Sequence, residues 1–237
     1  SRGLGDVYKR QKEGIAVPKE GWTLEEFYTI CKKLTKDTNG DGQLDQFGST
    51  EYTWKEALAA NGGHLFQGGM LKLTAPEVKE SLTFLQKLED LNKNYKVSSK
   101  DFDQGKVAFY PMTLAQYRTY KPYPYHVSKY SNFTWTCIPM PAKSKTTKAT
   151  LVTTTSFAMS ARSTHSKLAW ELMQLLTEDP EIQQTLFVQS QGISVMPQVV
   201  KSRSSKDLLQ VDDFGTDSLT NQTLNRIMEQ AVESLSL

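Results

Sequence analysis

Two stretches with the spacing of a helix capping box, Thr23-Leu24-Glu25-Glu26 and Thr74-Ala75-Pro76-Glu77, stand in a chain that also carries short runs of strand-forming residues. This interleaving constrains the fold more than any other feature. The first box predicts a helix to about residue 36, with Phe27, Ile30, Cys31 and Leu34 repeating at three and four on one apolar stripe. The second predicts a helix to about residue 92, with Pro76 in its first turn and Val78, Leu82, Leu85, Leu88 and Leu91 facing inward. Strands are expected at 106–111, 134–139 and 151–160, and helices at 166–176, after Asp179-Pro180, and at 218–234. Residues 201–216 read as an exposed connection. Helices interleaved with strands imply an α/β layered fold with a mixed sheet.

The chain of 237 residues is long enough to bury a substantial core. Ten Phe, ten Tyr and four Trp residues exclude a disordered or coiled-coil protein. No apolar run approaches the roughly 18–20 residues of a membrane span. A net charge of +2, evenly spread, argues against nucleic acid as a partner. Residues 1–11, Ser-Arg-Gly-Leu-Gly-Asp-Val-Tyr-Lys-Arg-Gln, read as the in-frame translation of a transposase sequencing adapter, a non-native segment to be set apart before the fold is considered. Cys31 and Cys137 have neither a CxxC spacing nor a neighbouring His and are expected to be buried thiols.

No nucleophile elbow, zinc-protease helix, P-loop or dinucleotide fingerprint is present, and His64, His126 and His165 are scattered. The pairs Glu51 with Glu56 and Asp101 with Asp103 offer a glycosidase-type acid and base only if both carboxylates face one cleft. Asp37, Asn39, Asp41, Gln43 and Asp45, with Gly42 at the sixth position, have the alternate-position oxygens of a Ca²⁺ loop, while Gly48 stands where an EF-hand needs a bidentate Glu. The loop is either a Ca²⁺ site completed from elsewhere or a polar turn. Residues 102–135 hold ten aromatics, among them Tyr117, Tyr120, Tyr123, Tyr125 and Tyr130, whose flat faces and hydroxyls suit a sugar.

In order along the chain, Trp22-Thr23-Leu24-Glu25-Glu26-Phe27, the loop at 37–45, Asn61-Gly62-Gly63, Phe102-Asp103-Gln104-Gly105-Lys106-Val107-Ala108-Phe109, Ile138-Pro139-Met140-Pro141 and the helix that opens at Ala169-Trp170-Glu171-Leu172 form a series. The series resembles the family 1 extracellular solute-binding proteins of ATP-binding-cassette importers, the group that includes the maltose-binding proteins. The resemblance implies the α/β, periplasmic-binding-protein-like type II fold, two lobes with ligand in the cleft between them. This chain would hold mainly the C-terminal lobe (12–149), the returning part of the N-terminal lobe (150–200) and a crossing segment with a helix (201–237), as a fragment of the whole.

The resemblance further implies a non-catalytic protein that binds a small-molecule solute, a sugar above all, and delivers it to ABC permease subunits. It would work as a monomer, extracytoplasmic, in the periplasm or lipid-anchored at the cell surface, with no required cofactor. Family positions carried over place solute contacts at Tyr52, with Trp54 close by, and at Gln116, Tyr117 and Thr154. The alternative is a carbohydrate-active enzyme domain in which the tyrosine-rich stretch forms a subsite.

Overall fold

The computed structural model describes residues 2–6, 13–19, 21–113, 115–116, 135–147, 149–151, 156–189 and 192–203. Strand β1 (Arg2–Asp6) precedes helix α1 (Leu24–Leu34), strand β2 (Phe47–Ser49) and helix α2 (Trp54–Ala60). A hairpin of β3 (Phe66–Gln67) and β4 (Met70–Leu71) leads to helix α3 (Pro76–Glu89) and a 3-10 turn (Asp90–Asn92). Helix α4 (Ser99–Asp103), strand β5 (Val107–Met112) and strand β6 (Trp135–Ile138) follow, and then helices α5 (Ser166–Glu178), α6 (Pro180–Gln189) and α7 (Pro197–Val200).

The capping box at Thr23 forms as its spacing predicts: the Thr23 hydroxyl accepts from the Glu26 N–H at 3.2 Å and the Glu26 carboxylate accepts from the Thr23 N–H at 2.6 Å. The box at Thr74 does not form. Pro76 takes the first helical position, so the helix starts from Ala75, which has no side-chain cap. Two boxes form instead where none was expected, Thr53 with Glu56 at the start of α2 and Ser98 with Asp101 at the start of α4. On α3 the inward stripe runs through Val78, Ser81 and Leu88, while Leu82 is exposed. Ser81 is tolerated inside because its hydroxyl donates to the Ala57 carbonyl at 3.1 Å across the α2–α3 contact.

The main sheet has the order β2-β5-β1-β6. Strands β2 and β5 pair in parallel, Phe47 opposite Val107 and Ser49 opposite Phe109. Strand β1 lies antiparallel to both β5 and β6, with Gly3 opposite Pro111 on one side and Ile138 on the other. The segment set apart as adapter-derived is thus built into the middle of the sheet. The physical reason lies in the backbone: β5 and β6 each present unpaired N–H and C=O groups to the gap between them, and any extended segment satisfies both rows. Expected strand 151–160 is not observed: residues 156–160 carry no strand, and 152–155 lie outside the described residues. The expected helix at 218–234 also lies outside them, as does nearly all of 201–216.

An aromatic cluster fills the space between α1, α3 and the sheet. Phe27 sits at its centre, with ring centroids 5.2 Å from Tyr52, 5.6 Å from Trp22, 5.6 Å from Phe109 and 6.4 Å from Phe84. Such pairs contribute about 0.5–1.5 kcal/mol each beyond the area they bury. The Trp22 indole N–H donates to the Pro139 carbonyl at 2.8 Å and pins this cluster to the chain after β6. Cys31 and Cys137 are buried and form no disulfide with one another, and burial pushes the Cys31 thiol far up from its ordinary range.

Helix α6 packs against both α5 and α7, and Phe187 of α6 is buried with Val199 and Val200 of α7. None of α5 is buried: Leu168, Trp170, Leu172 and Leu175 are all exposed. Leu168, Leu172 and Leu175 are spaced to share one face of α5, and among the described residues nothing buries that face.

Candidate functional site

Parallel pairing of β2 with β5 brings the chain segments that leave their carboxyl ends side by side, the position where open α/β sheets hold ligands. Two links join the loop after β2 to the rest of this edge. The Thr50 N–H donates to the Phe109 carbonyl at 3.1 Å, and its buried hydroxyl donates to the Val97 carbonyl at 2.8 Å. Glu51 then takes a left-handed backbone, φ 52°, and its carboxylate accepts from the Ser99 N–H at 2.9 Å. Helix α2 follows, capped by Thr53.

Beside this loop lies a concave pocket of about 920 Å³, bounded by residues 49–54, 88–90 and 92–97 together with Leu85. Two aromatic side chains on its walls are available to a ligand. Trp54 is 43% exposed, and Tyr95, whose ring packs on Phe47 at 5.7 Å, is 40% exposed. Charged groups of both signs ring the pocket: Glu51, Glu89 and Asp90 against Lys93 and Lys96. Aromatic faces among polar and charged groups, in a cavity of this size, are what a small polar solute requires.

Tyr52 departs from its expected place. Its ring is only 6% exposed and lies in the aromatic core against Phe27 and Phe84, because the left-handed turn at Glu51 sends the next side chain inward. It presents no stacking face to solvent. Its hydroxyl is buried without a hydrogen-bond partner, and burial, with the nearby Glu56 carboxylate, pushes its ionisation far up. Trp54 takes the exposed role that Tyr52 was expected to share.

Gln116 belongs to the second loop of this edge, after β5. Its side-chain oxygen accepts from the Thr113 N–H at 2.8 Å and its amide donates to the Tyr110 hydroxyl at 3.0 Å. Most of its bonding capacity is therefore spent inside the protein. Tyr110 is buried; burial, reinforced by the charge of the Glu51 carboxylate, pushes its hydroxyl up to about 12. Tyr117 and Thr154, like Tyr120, Tyr123, Tyr125 and Tyr130, lie outside the described residues. Tyr95 was missed in the sequence, where it stands alone in a lysine-rich loop. The signal that could have singled it out is Asn92-Lys93-Asn94, a helix stop that turns the following residue toward the sheet edge.

The carboxylates considered as an acid and base pair have structural roles. Glu56 accepts from the Thr53 N–H at 2.9 Å and Asp101 from the Ser98 N–H at 2.9 Å, each completing a helix cap. The Ca²⁺-like loop is likewise committed to itself. Asp37 accepts from the amides of Asn39, Gly40 and Gly42 at 2.6–3.1 Å, Asn39 from Asp41 at 2.9 Å, and Asp41 from Gln43 at 2.8 Å. Asp45 accepts from the Thr38 N–H at 2.9 Å and from its hydroxyl at 2.7 Å. These oxygens accept from N–H and O–H donors of the loop itself, and among the described residues no three His, Cys, Asp or Glu side chains are grouped to hold a metal.

Comparison with known proteins places this geometry in context. No curated protein matches the chain. Among solved structures, an ABC substrate-binding protein from Listeria monocytogenes in complex with cycloalternan superposes with a TM-score of 0.57 at 15% identity, covering 98% of this chain and 64% of that one. The maltose/maltodextrin-binding domain from Bdellovibrio bacteriovorus bound to maltotriose gives 0.56 at 18% identity, covering 99% and 70%. An ABC transporter solute-binding protein from Agrobacterium radiobacter in complex with ribitol gives 0.57 at 16%, covering 99% and 63%. The chain thus spans slightly under two thirds of the first of these proteins. They share its α/β, periplasmic-binding-protein-like type II fold. The sequence model of the bacterial extracellular solute-binding proteins matches residues 10–211, most of the chain, and the protein belongs to that family.

Proposed function

We propose that the pocket beside Trp54 and Tyr95 is one wall of a solute site, and that the protein captures a sugar or polyol outside the cytoplasmic membrane for an ABC importer. The observation that carries this reading is the pair of half-exposed aromatic rings on a cavity at the carboxyl ends of two parallel strands. Stacking supplies contact area and the surrounding charged and hydroxyl groups supply selectivity. A second lobe closing over the pocket by a hinge motion would exclude water and complete the contacts. The role is that of a non-catalytic, monomeric carrier, periplasmic or lipid-anchored, whose other partner is the permease. Tyr117 and Thr154 are proposed to add polar contacts from the two sides of the closed cleft.

The test is calorimetric titration of the full-length protein with maltotriose, ribitol and cycloalternan, the ligands of the three similar structures. Binding of at least one is expected, with Trp54→Ala and Tyr95→Ala each weakening it about tenfold, the loss of one buried stacking contact. Unchanged affinity in both variants would move the site elsewhere. Turnover of any of the three sugars or polyols would favour the enzyme alternative.

A further inference from the structure

Helix α3 and the 3-10 turn after it need only one left-handed residue to stop, since a single such residue past the end of a helix lets the chain satisfy its last carbonyls. Lys93 fills that place: it has φ 47° and ψ 45°, and its N–H donates to the Asp90 carbonyl at 3.2 Å. The next residue, Asn94, is left-handed as well, at φ 69°. Ending the helix does not require it. With both central residues at positive φ and the Tyr95 N–H donating to the Asn92 carbonyl at 2.9 Å, residues 92–95 have the pattern of a type I′ turn, which reverses the chain. Neither Lys nor Asn has the freedom of glycine at such positions, so the turn carries a cost in free energy that something beyond it must offset.

What the reversal achieves is seen one residue later. Tyr95 comes back onto β2, where its ring centroid lies 5.7 Å from that of Phe47, a side chain only 5% exposed. Two residues further on, the Val97 carbonyl accepts from the Thr50 hydroxyl at 2.8 Å. The segment between α3 and α4 is thus set by the turn at one end and tied to the loop after β2 at the other. Phe47 backs the Tyr95 ring between these two points, and the part of Tyr95 left exposed borders the pocket. Glu51, the remaining non-glycine residue with positive φ among the described residues, borders the same pocket. Backbone strain gathers in this way at ligand sites, where the surroundings hold one arrangement against its cost.

We infer that Asn94 is a positioning residue of the solute site: its left-handed backbone completes the turn that sets Tyr95 on Phe47 and holds the ring at the pocket before solute arrives. The inference rests on the solute-binding reading of this pocket. Asn94 bears on affinity through the backbone it adopts, since a ring already in place loses less conformational freedom when a solute stacks on it. Its residue type therefore matters for its tolerance of positive φ, which Asn has more than most side chains and which glycine has fully. A residue that touched the solute through its side-chain amide would follow a different rule.

The experiment titrates the full-length protein with maltotriose, ribitol and cycloalternan by calorimetry and measures the thermal midpoint of each variant alongside. Titrations are run well below the lowest midpoint, so that every variant is folded. Asn94→Val places a β-branched side chain where positive φ is an outlier, and is expected to weaken binding at least about fivefold as Tyr95 leaves its place on Phe47. Asn94→Gly removes the same amide but suits the turn. It is expected to recover most of the affinity lost in Asn94→Val, with a midpoint equal to or above that of wild type. In the double variant Asn94→Val, Tyr95→Ala the two losses do not multiply, and the affinity stays within about twofold of Tyr95→Ala alone. Wild-type affinity in Asn94→Val, an equal loss in Asn94→Gly and Asn94→Val, or losses that multiply in the double variant would each overturn the positioning role while leaving the solute site in place. If wild type binds none of the three probes, the solute-binding reading itself falls and this inference with it.

Discussion

Thr50 and Val97, 47 residues apart, are joined by a 2.8 Å hydrogen bond from the Thr50 hydroxyl to the Val97 carbonyl. This bond ties the loop after β2 to the segment entering α4 and closes one side of the pocket. Thr50→Val keeps the shape and removes the donor, leaving a carbonyl without that partner. Urea unfolding is expected to show a loss of about 1–3 kcal/mol, the cost of an unmade bond at a buried position.

Gly48 is required for a different reason. A Cβ built at this position would lie 2.4 Å from the Cys31 Cα and 2.5 Å from its Cβ, both on the rigid body of α1. The strand and the helix meet backbone to backbone here. Gly48→Ala must push α1 off the sheet and is expected to cost at least about 2 kcal/mol in chemical denaturation.

Tyr52→Phe is expected to raise stability by about 1 kcal/mol. The variant preserves the ring contacts with Phe27 and Phe84 and deletes a buried hydroxyl that has no hydrogen-bond partner. A rise in thermal midpoint with unchanged affinity for maltotriose, ribitol and cycloalternan would bear this out. A fall in affinity would return Tyr52 to the solute contacts.

The loop at 37–45 predicts an acid-dependent loss of stability. The amides of Gly42, and then of Gly40, Asn39 and Asp41, hold the Asp37 carboxyl below the usual carboxylate range. Because the folded value lies below the unfolded one, the stabilisation is complete above about pH 4 and is lost as pH falls through the folded value. Asp37→Asn is therefore expected to be less stable than wild type near neutrality, with the gap closing in acid. Calorimetric titration of the loop with Ca²⁺ should give no heat, since each Asp37 oxygen already accepts from backbone amides.

The local elements were more legible in the sequence than the pocket they form. Helix α1 could be read from Thr23, Glu26 and its apolar stripe because every one of those signals acts within two turns. Helix α3 could be read in extent, yet its start moved to Ala75, since a proline disfavours helical backbone at the residue before it, and Ala75, extended at ψ 145°, becomes the cap. The caps at Thr53 and Ser98 are just as local, but they open helices of seven and five residues, too short for a periodic stripe to announce them. Tyr52 went inward, and Tyr95 outward, for reasons that no local pattern contains. One depends on Phe27 and Phe84 arriving from two other helices, the other on a left-handed turn at Lys93 and Asn94. The site is a product of β2 lying beside β5, and that adjacency joins residues about sixty positions apart.

Strand β1 has a consequence for the order of folding. Arg2 pairs with Met112, and Gly3 with Ile138, so every ladder that β1 makes spans more than a hundred residues of chain. Closing loops of that size carries a large entropic cost that is repaid only after β5 and β6 are both in place. Until then β5 has β2 on one flank and an open row of N–H and C=O groups on the other. The helices and the β2–β5 pair can form early, whereas the middle of the sheet assembles last. During that interval the unfilled row is a template for any extended segment, from this molecule or from another, and it is at this step that the chain is most exposed to misassembly.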